Sequence, residues 1–176
     1  MHDETRTTRR PLALPVRWRS STLCILMLAG ATTACSQNVH EAGRTMDHLP
    51  AGARLLQTQS ATVGEPERRI VRNRAEWMTL WTSLHAGMPA PPLPAVDFAQ
   101  ELVIFATMGT RPTGGFELDI SGTRRVGNDL DVMLVETVPA KDCMLTQAET
   151  APTVIARVPR ASGVIQFTVQ RKTLRC

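Results

Sequence analysis

The chain has 176 residues, a formal net charge of +4, 43% hydrophobic residues and 4% aromatic residues. Residues 1–34 hold five arginines against two carboxylates, a net of +3, so the rest of the chain is close to +1. That remainder, about 140 residues, is enough for one domain with one core but not for two. It has no basic tract with interleaved aromatic residues, and nucleic acid is therefore excluded as a predicted partner.

The amino-terminal segment has the layout of an export signal. An apolar run at 23–31 follows the arginines and is about half as long as a bilayer crossing requires. Small residues at 31–34 then lead directly to Cys35, which resembles the lipobox of bacterial lipoproteins, although Thr32 stands where leucine is usual. The resemblance implies cleavage before Cys35 and diacylation of its thiol. Two alternatives remain open: an ordinary signal cut after Ala34, and a twin-arginine signal.

We therefore expect three parts: a lipoprotein signal peptide at 1–34, a flexible tether at 35–52 and a single domain at 53–176. The tether is assigned because residues 36–50 are polar and mixed in charge, with no apolar period. The lipid would hold the domain on the membrane of a bacterial cell envelope. Ser36 follows the anchor where aspartate would favour inner-membrane retention, so we predict the outer membrane, facing the periplasm.

The cysteine count agrees with export. Cys24 lies in the signal and Cys35 is assigned to lipid, which leaves Cys143 and Cys176 as an even pair in an oxidising compartment. We predict a disulfide between them, and the alternative is two unpaired thiols. His85 is the single histidine in 53–176, and no cysteine–histidine cluster has ligand spacing, so neither a metal nor another cofactor is predicted.

One helix is strongly indicated after residue 73. Asn73 can cap it, and Glu76 lies three residues later, which is the spacing of a capping box. Apolar residues then recur at i, i+3, i+4 and i+7, on one helical face: Trp77, Leu80, Trp81 and Leu84. We interpret the two tryptophans as core anchors and not as a ligand platform.

The rest of the domain has strand patterns. They cover 54–59, 68–72, 102–106, 116–121, 130–137, 154–158 and 165–169. The continuous apolar run 102–106 predicts a central strand covered on both faces, and 154–158 with 165–169 predicts a hairpin. The expected fold class is α+β: a mainly antiparallel sheet of about seven strands, curved or barrel-like, with the amphipathic helix packed on it.

The loop 108–116 contains three glycines and a proline between two strands. Here the chain resembles the carboxy-terminal domain of protease complex subunit PrcB. The matching motifs are Glu76-Trp77, Leu80-Trp81, Pro94-Ala95-Val96-Asp97-Phe98, 109–116, Pro139 and 147–152. The resemblance covers roughly 54–170, with a departure at Ala148-Glu149, where an aliphatic residue is commoner. It implies a small exported domain associated with a secreted protease complex, and it carries over no catalytic residue.

Two interpretations of this loop remain open. It is either a tight connection between strands or an exposed recognition loop formed by Arg111, Thr113, Gly114, Gly115 and Phe116. In the second case Arg111 and Thr113 face outward and present donors to a partner. Residues 112–116 are also similar to a loop of chagasin-type cysteine-protease inhibitors, but the asparagine, the second threonine and that family's Arg-x-Pro-Trp loop are missing. A protease inhibitor is therefore the alternative function.

Catalysis is not indicated. A nucleophile–base–acid set needs a histidine, and His85 falls at the end of the helix, where a cation suits the helix dipole. Asp129 and Asp131 flank a turn, and Asp97 is expected to cap local backbone. We predict a lipid-anchored, non-enzymatic interaction or accessory domain whose partner is an unidentified envelope protein, with a protease as the first candidate.

Overall fold

The structure is a computed structural model that describes residues 46–60 and 63–176. The predicted signal peptide 1–34, the lipid site Cys35 and the tether residues 36–45 lie outside the described residues. Within them the elements are, in chain order, β1 (Asp47–His48), β2 (Arg54–Thr58), β3 (Glu67–Val71), α1 (Arg74–Leu84), β4 (Glu101–Thr107), β5 (Glu117–Val126), β6 (Asp129–Pro139), β7 (Thr153–Pro159) and β8 (Ile165–Leu174).

The described strands form two four-stranded sheets. The first has the order β1-β5-β6-β8 and the second has the order β2-β7-β4-β3. Neighbouring strands are antiparallel except for β6 and β8, which are parallel. The predicted α+β, mainly antiparallel fold is confirmed, and in the described part of the chain the sheets stay open and do not close into a barrel.

β4 is buried on both faces because it lies between two hydrophobic clusters. Leu102 and Ile104 contribute to a cluster that also contains buried residues of β5, β6 and β7. Val103 and Phe105, which alternate with them, pack with the apolar residues of α1. The order of layers is therefore first sheet, second sheet, helix, and the prediction of a central strand covered on both faces is confirmed.

The helix begins and packs as its sequence predicts. Asn73 is the N-cap, and its side chain accepts a hydrogen bond from the Glu76 amide at 2.9 Å. The Nε1 atoms of Trp77 and Trp81 donate to the carbonyls of Pro94 and Pro91, each at 3.0 Å. Both indoles are thus core anchors that also hold the proline-rich crossover against the helix. Among the described residues no helix is long and apolar enough to span a membrane.

The predicted hairpin of the last two strands is wrong. β7 belongs to the second sheet, whereas β8 lies in the first sheet, parallel to β6. Contacts with the β5–β6 turn direct the chain between sheets: the Gly163 amide donates to the Asn128 carbonyl at 2.9 Å, and the Val164 amide donates to Asp129 Oδ1 at 2.7 Å. A Cβ on Gly163 would lie only 2.7 Å from the Asn128 oxygen, so this approach requires glycine.

A strand of two residues lies within the stretch 35–52 that was predicted as a tether. β1 pairs with β5 in the register Asp47↔Thr123 and His48↔Gly122. A Cβ on Gly122 would overlap the Asp47 carbonyl oxygen, so this glycine admits the added strand. The folded part therefore begins before residue 53.

Candidate interaction site

The loop 108–116 starts with a close contact between two backbones. Gly109 has φ +69°, and a Cβ there would lie 2.7 Å from both the Glu65 carbonyl carbon and the Pro66 nitrogen. The next amide, that of Thr110, donates to the Gly64 carbonyl at 2.9 Å. The first glycine of the loop is thus required by the fold, because no side chain fits between these backbones.

The middle of the loop is bound to the segment that precedes β7. Arg111 and Thr150 exchange both of their backbone hydrogen bonds, at 2.7 and 2.9 Å. The Thr150 hydroxyl donates to the Thr113 carbonyl at 2.9 Å, and the Gly114 amide donates to the Thr146 carbonyl at 3.0 Å. The loop is therefore braced along its length and is more than a bare connection between β4 and β5.

Arg111 and Thr113 are half-buried, while Pro112 between them is exposed. The guanidinium carbon of Arg111 lies 5.6 Å from the centroid of the Phe116 ring, in cation–π geometry. In the part of the chain that the structure describes, Arg111 Nε has no hydrogen-bond partner and the guanidinium makes no ion pair. Neither side chain is fully exposed, and the guanidinium of Arg111 lies beside an aromatic ring.

The end of the loop contacts the same neighbouring segment. Gly115 has φ +85°, and a Cβ there would lie 2.7 Å from Leu145 Cδ2 and 3.3 Å from Pro139 Cβ. Gly114 lacks a positive φ, and its Cβ would meet Thr146 at an ordinary 3.5 Å. Of this glycine pair, only Gly115 is confined to glycine by its backbone.

The neighbouring segment 140–149 is mostly exposed but is held at both ends. At one end Cys143 forms a disulfide with Cys176, and the Ala140 amide donates to the Leu174 carbonyl at 2.9 Å. At the other end Thr150 binds the loop. The predicted disulfide is therefore present, and it connects this segment to the end of β8.

Met144 lies in the middle of that segment, and its side chain is 100% exposed. We call 110–116 together with 141–149 the two-loop surface. The sequence pattern did not single out Met144, although its position directly after a cysteine of the predicted disulfide was a visible signal. Methionine is one of the residue types that are enriched in protein interfaces.

The polar residues weighed for catalysis have structural contacts. His85 Nδ1 lies 2.8 Å from the Trp81 carbonyl at the end of the helix. Asp131 accepts from Arg124 at 2.7 Å and from Thr168 at 2.8 Å, and Asp97 accepts from the Ala99 amide at 3.0 Å. No three histidine, cysteine or acidic side chains within 46–60 and 63–176 are grouped to hold a metal ion.

Comparison with known proteins shows that part of the chain is similar to one protein family. A family model described as PrcB C-terminal matches residues 102–159. The resemblance to PrcB is confirmed for this segment. The PrcB match runs from β4 through β7 and includes both parts of the two-loop surface, whereas α1 and β8 lie outside it. No curated protein and no solved structure matches the chain.

Proposed function

We propose that this protein is a non-enzymatic accessory subunit of an envelope protease complex and that it contacts its partner through the two-loop surface. The observation that supports this best is the position of the PrcB C-terminal match, which contains the entire two-loop surface. PrcB is named as a protease complex subunit. The partner is therefore inferred from the family and the surface from the geometry.

The two-loop surface has the properties of a binding surface. Met144 supplies exposed apolar area, and methionine and arginine are both enriched in protein interfaces. The Arg111 guanidinium is already positioned by Phe116, so less side-chain freedom is lost when it meets a partner. Hydrogen bonds from 146–150 hold the loop backbone in place, which further reduces the cost of ordering on binding.

The same bracing supports the accessory role over the inhibitor role. A chagasin-like loop acts by inserting into a protease cleft, which needs a protruding backbone. Here the backbone groups of Arg111, Thr113 and Gly114 are engaged by the segment 146–150. We therefore place the accessory role first and treat inhibition as a measurable alternative.

The proposal includes a location. We infer that Cys35 carries the lipid and anchors the protein in the outer membrane, with the domain facing the periplasm. This part is supported by the sequence: the arginine-rich leader, the short apolar run, the small residues before Cys35 and the serine that follows it. Cys35→Ser should release the protein from membranes, whereas Cys24→Ser, inside the leader, should leave it attached. A Cys35→Ser protein of parental mass that remains on membranes would contradict the anchor.

The main test is mild crosslinking of native membranes, followed by affinity purification and a protease assay on the eluate. The accessory role predicts a co-purifying protease that stays active. A protease that is present but silenced would instead favour the inhibitor role, and an eluate with no protease would overturn both. Met144→Ser serves as the surface control, because it should reduce recovery of the protease without unfolding the domain.

A further inference from the structure

β8 is the longest sheet edge in the described part of the chain. The other three edge strands are short: β1 has 2 residues, while β2 and β3 have 5 each. β8 has 10 residues and pairs with β6 without a register shift, from Leu130↔Ile165 to Pro139↔Leu174. No described strand pairs with its other side. Proteins usually shorten, bend or cover such an edge, since its free backbone groups can pair with another chain.

The backbone hydrogen bonds identify which groups of β8 face outward. The carbonyls of Val164 and Leu174 accept from Leu130 and Ala140, on the β6 side. The amide and carbonyl of one strand residue point to the same side, and successive residues alternate. The backbone amides and carbonyls of the even-numbered residues of β8 therefore point toward β6. The odd-numbered residues Phe167, Val169, Arg171 and Thr173 present their amides and carbonyls at the free edge.

The side chains of β8 do not block this edge. Ile165, Phe167 and Val169 point inward and pack against the cluster between the sheets, and the alternating residues 166, 168 and 170 are exposed. The strand contains neither proline nor a bulge, which are common guards of a sheet edge. An added strand would thus extend the first sheet and cover more of the inward apolar row.

The charged residues of β8 and the two residues after it are all positive and lie at the carboxy-terminal end. Residues 165–176 contain Arg171, Lys172 and Arg175 and no acidic residue. Arg171 donates to Glu136 Oε2 at 3.0 Å, which offsets its charge. Among the described residues, Lys172 and Arg175 have no ion-pair partner within 4.0 Å. The carboxy-terminal half of the edge is therefore an unbalanced positive region.

We propose that the free edge of β8 binds an extended segment of a partner protein by strand addition, and that this segment carries acidic residues where it passes Lys172 and Arg175. Main-chain hydrogen bonds to the odd-numbered residues supply affinity, and the inward apolar row and the basic end select the sequence. This edge consists of other residues than the two-loop surface, which adjoins its carboxy-terminal end through the Cys143–Cys176 disulfide, and it lies outside the PrcB match. Its failure would leave the proposed function unaffected.

The test uses the full chain purified in detergent and two synthetic peptides of alternating valine and threonine. One peptide begins with a pair of glutamates, and the other has lysines in their place. In an antiparallel addition the amino end of the peptide lies beside Lys172. Amide hydrogen exchange should slow at Phe167, Val169, Arg171 and Thr173 on addition of the acidic peptide. The basic peptide should bind about tenfold more weakly, because its charges face Lys172 and Arg175.

Matched variants separate the contribution of the backbone amide to peptide binding from that of the side chain. Arg171→Pro and Arg171→Ala both remove the ion pair with Glu136, but only the proline removes the edge amide. Relative to the alanine variant, Arg171→Pro should bind the acidic peptide about tenfold more weakly. If the melting temperature shows that Arg171→Pro unfolds, Thr173→Pro and Thr173→Ala repeat the comparison at the exposed end.

Several results would overturn the proposal. Slow exchange at the four edge amides before any peptide is added would mean that the edge is already covered. Self-association that the proline variant abolishes would place a second copy on β8 instead of an acidic partner. Equal binding of the acidic and basic peptides, or protection of β2 or β3 instead of β8, would also contradict it.

Discussion

The loop 108–116 and the segment 140–149 form one surface but differ in how they are held. The loop is tied through its backbone, and glycines at Gly109 and Gly115 are needed where other atoms approach closely. The segment is exposed along most of its length and is fixed at its ends, by the disulfide and by Thr150. The difference teaches that substitutions in the loop, and at the fixed ends of the segment, change mainly folding. Substitutions along the exposed stretch between those ends change mainly binding.

The largest effect should come from releasing the end of the segment 140–149. Replacing Cys143 and Cys176 with serine opens a loop of sequence separation 33 and should lower the free energy of unfolding by about 3–4 kcal/mol. Chemical denaturation of the oxidised parent and the double variant measures the difference. In the oxidised parent neither thiol should react with alkylating reagents. Alkylation of either thiol in the native protein, or an unchanged free energy of unfolding in the double variant, would show that the disulfide does not hold this end of the segment.

The next effect concerns the glycine that begins the loop. Gly109→Ala should destabilise the domain by about 2–3 kcal/mol, because a Cβ meets the backbone of the turn at 64–66 in addition to the cost of a positive φ. Gly127→Ala is the matched control: its φ is +60°, yet nothing lies within 4 Å of the new Cβ, so only about 1 kcal/mol is expected. Equal losses in thermal melts would show that the close contact is unimportant.

A third prediction tests whether the exposed segment 140–149 contributes to binding. Met144→Ser should change the free energy of unfolding by less than about 0.5 kcal/mol, since its side chain makes little contact with the fold. Once the partner is known, the binding free energy should weaken by about 1–3 kcal/mol if Met144 is a central contact. Titration calorimetry and a melt on the same sample distinguish the two. Normal binding would place the interface elsewhere.

The smallest effect is expected from Arg111, where folding and binding overlap. Arg111→Ala should cost about 0.5–1 kcal/mol of stability through the lost contact with Phe116. Replacing both Arg111 and Thr113 with alanine should therefore lower the free energy of unfolding. If both side chains were fully exposed, the same double substitution would leave it nearly unchanged. Arg111→Lys keeps the positive charge and should recover part of the stability. A melt of Arg111→Ala that is identical to the parent would show that the guanidinium does not rest on the ring.

Local sequence patterns gave correct predictions for features that depend only on residues close together in the chain. The capping residue Asn73, the apolar face of α1 and the doubly covered β4 are as predicted, since capping and periodicity depend on near neighbours in the chain. The glycine-rich loop was recognisable by composition, and its match to PrcB C-terminal agrees with the resemblance noted in the motifs. The partners of that loop, Thr146 and Thr150, were not foreseeable, because these hydrogen bonds join residues distant in sequence.

The sequence by itself determined the element types, the central strand, the cysteine pair and the similarity of residues 102–159 to PrcB C-terminal. Only the tertiary structure decided that β8 crosses to the first sheet, that β1 extends the fold into the predicted tether, and that Arg111 rests on Phe116. The physical reason is that an alternating pattern specifies which face of a strand is buried but not which strand lies beside it. That choice depends on close backbone approaches, such as those at Gly122 and Gly163, which appear only when the sheets pack.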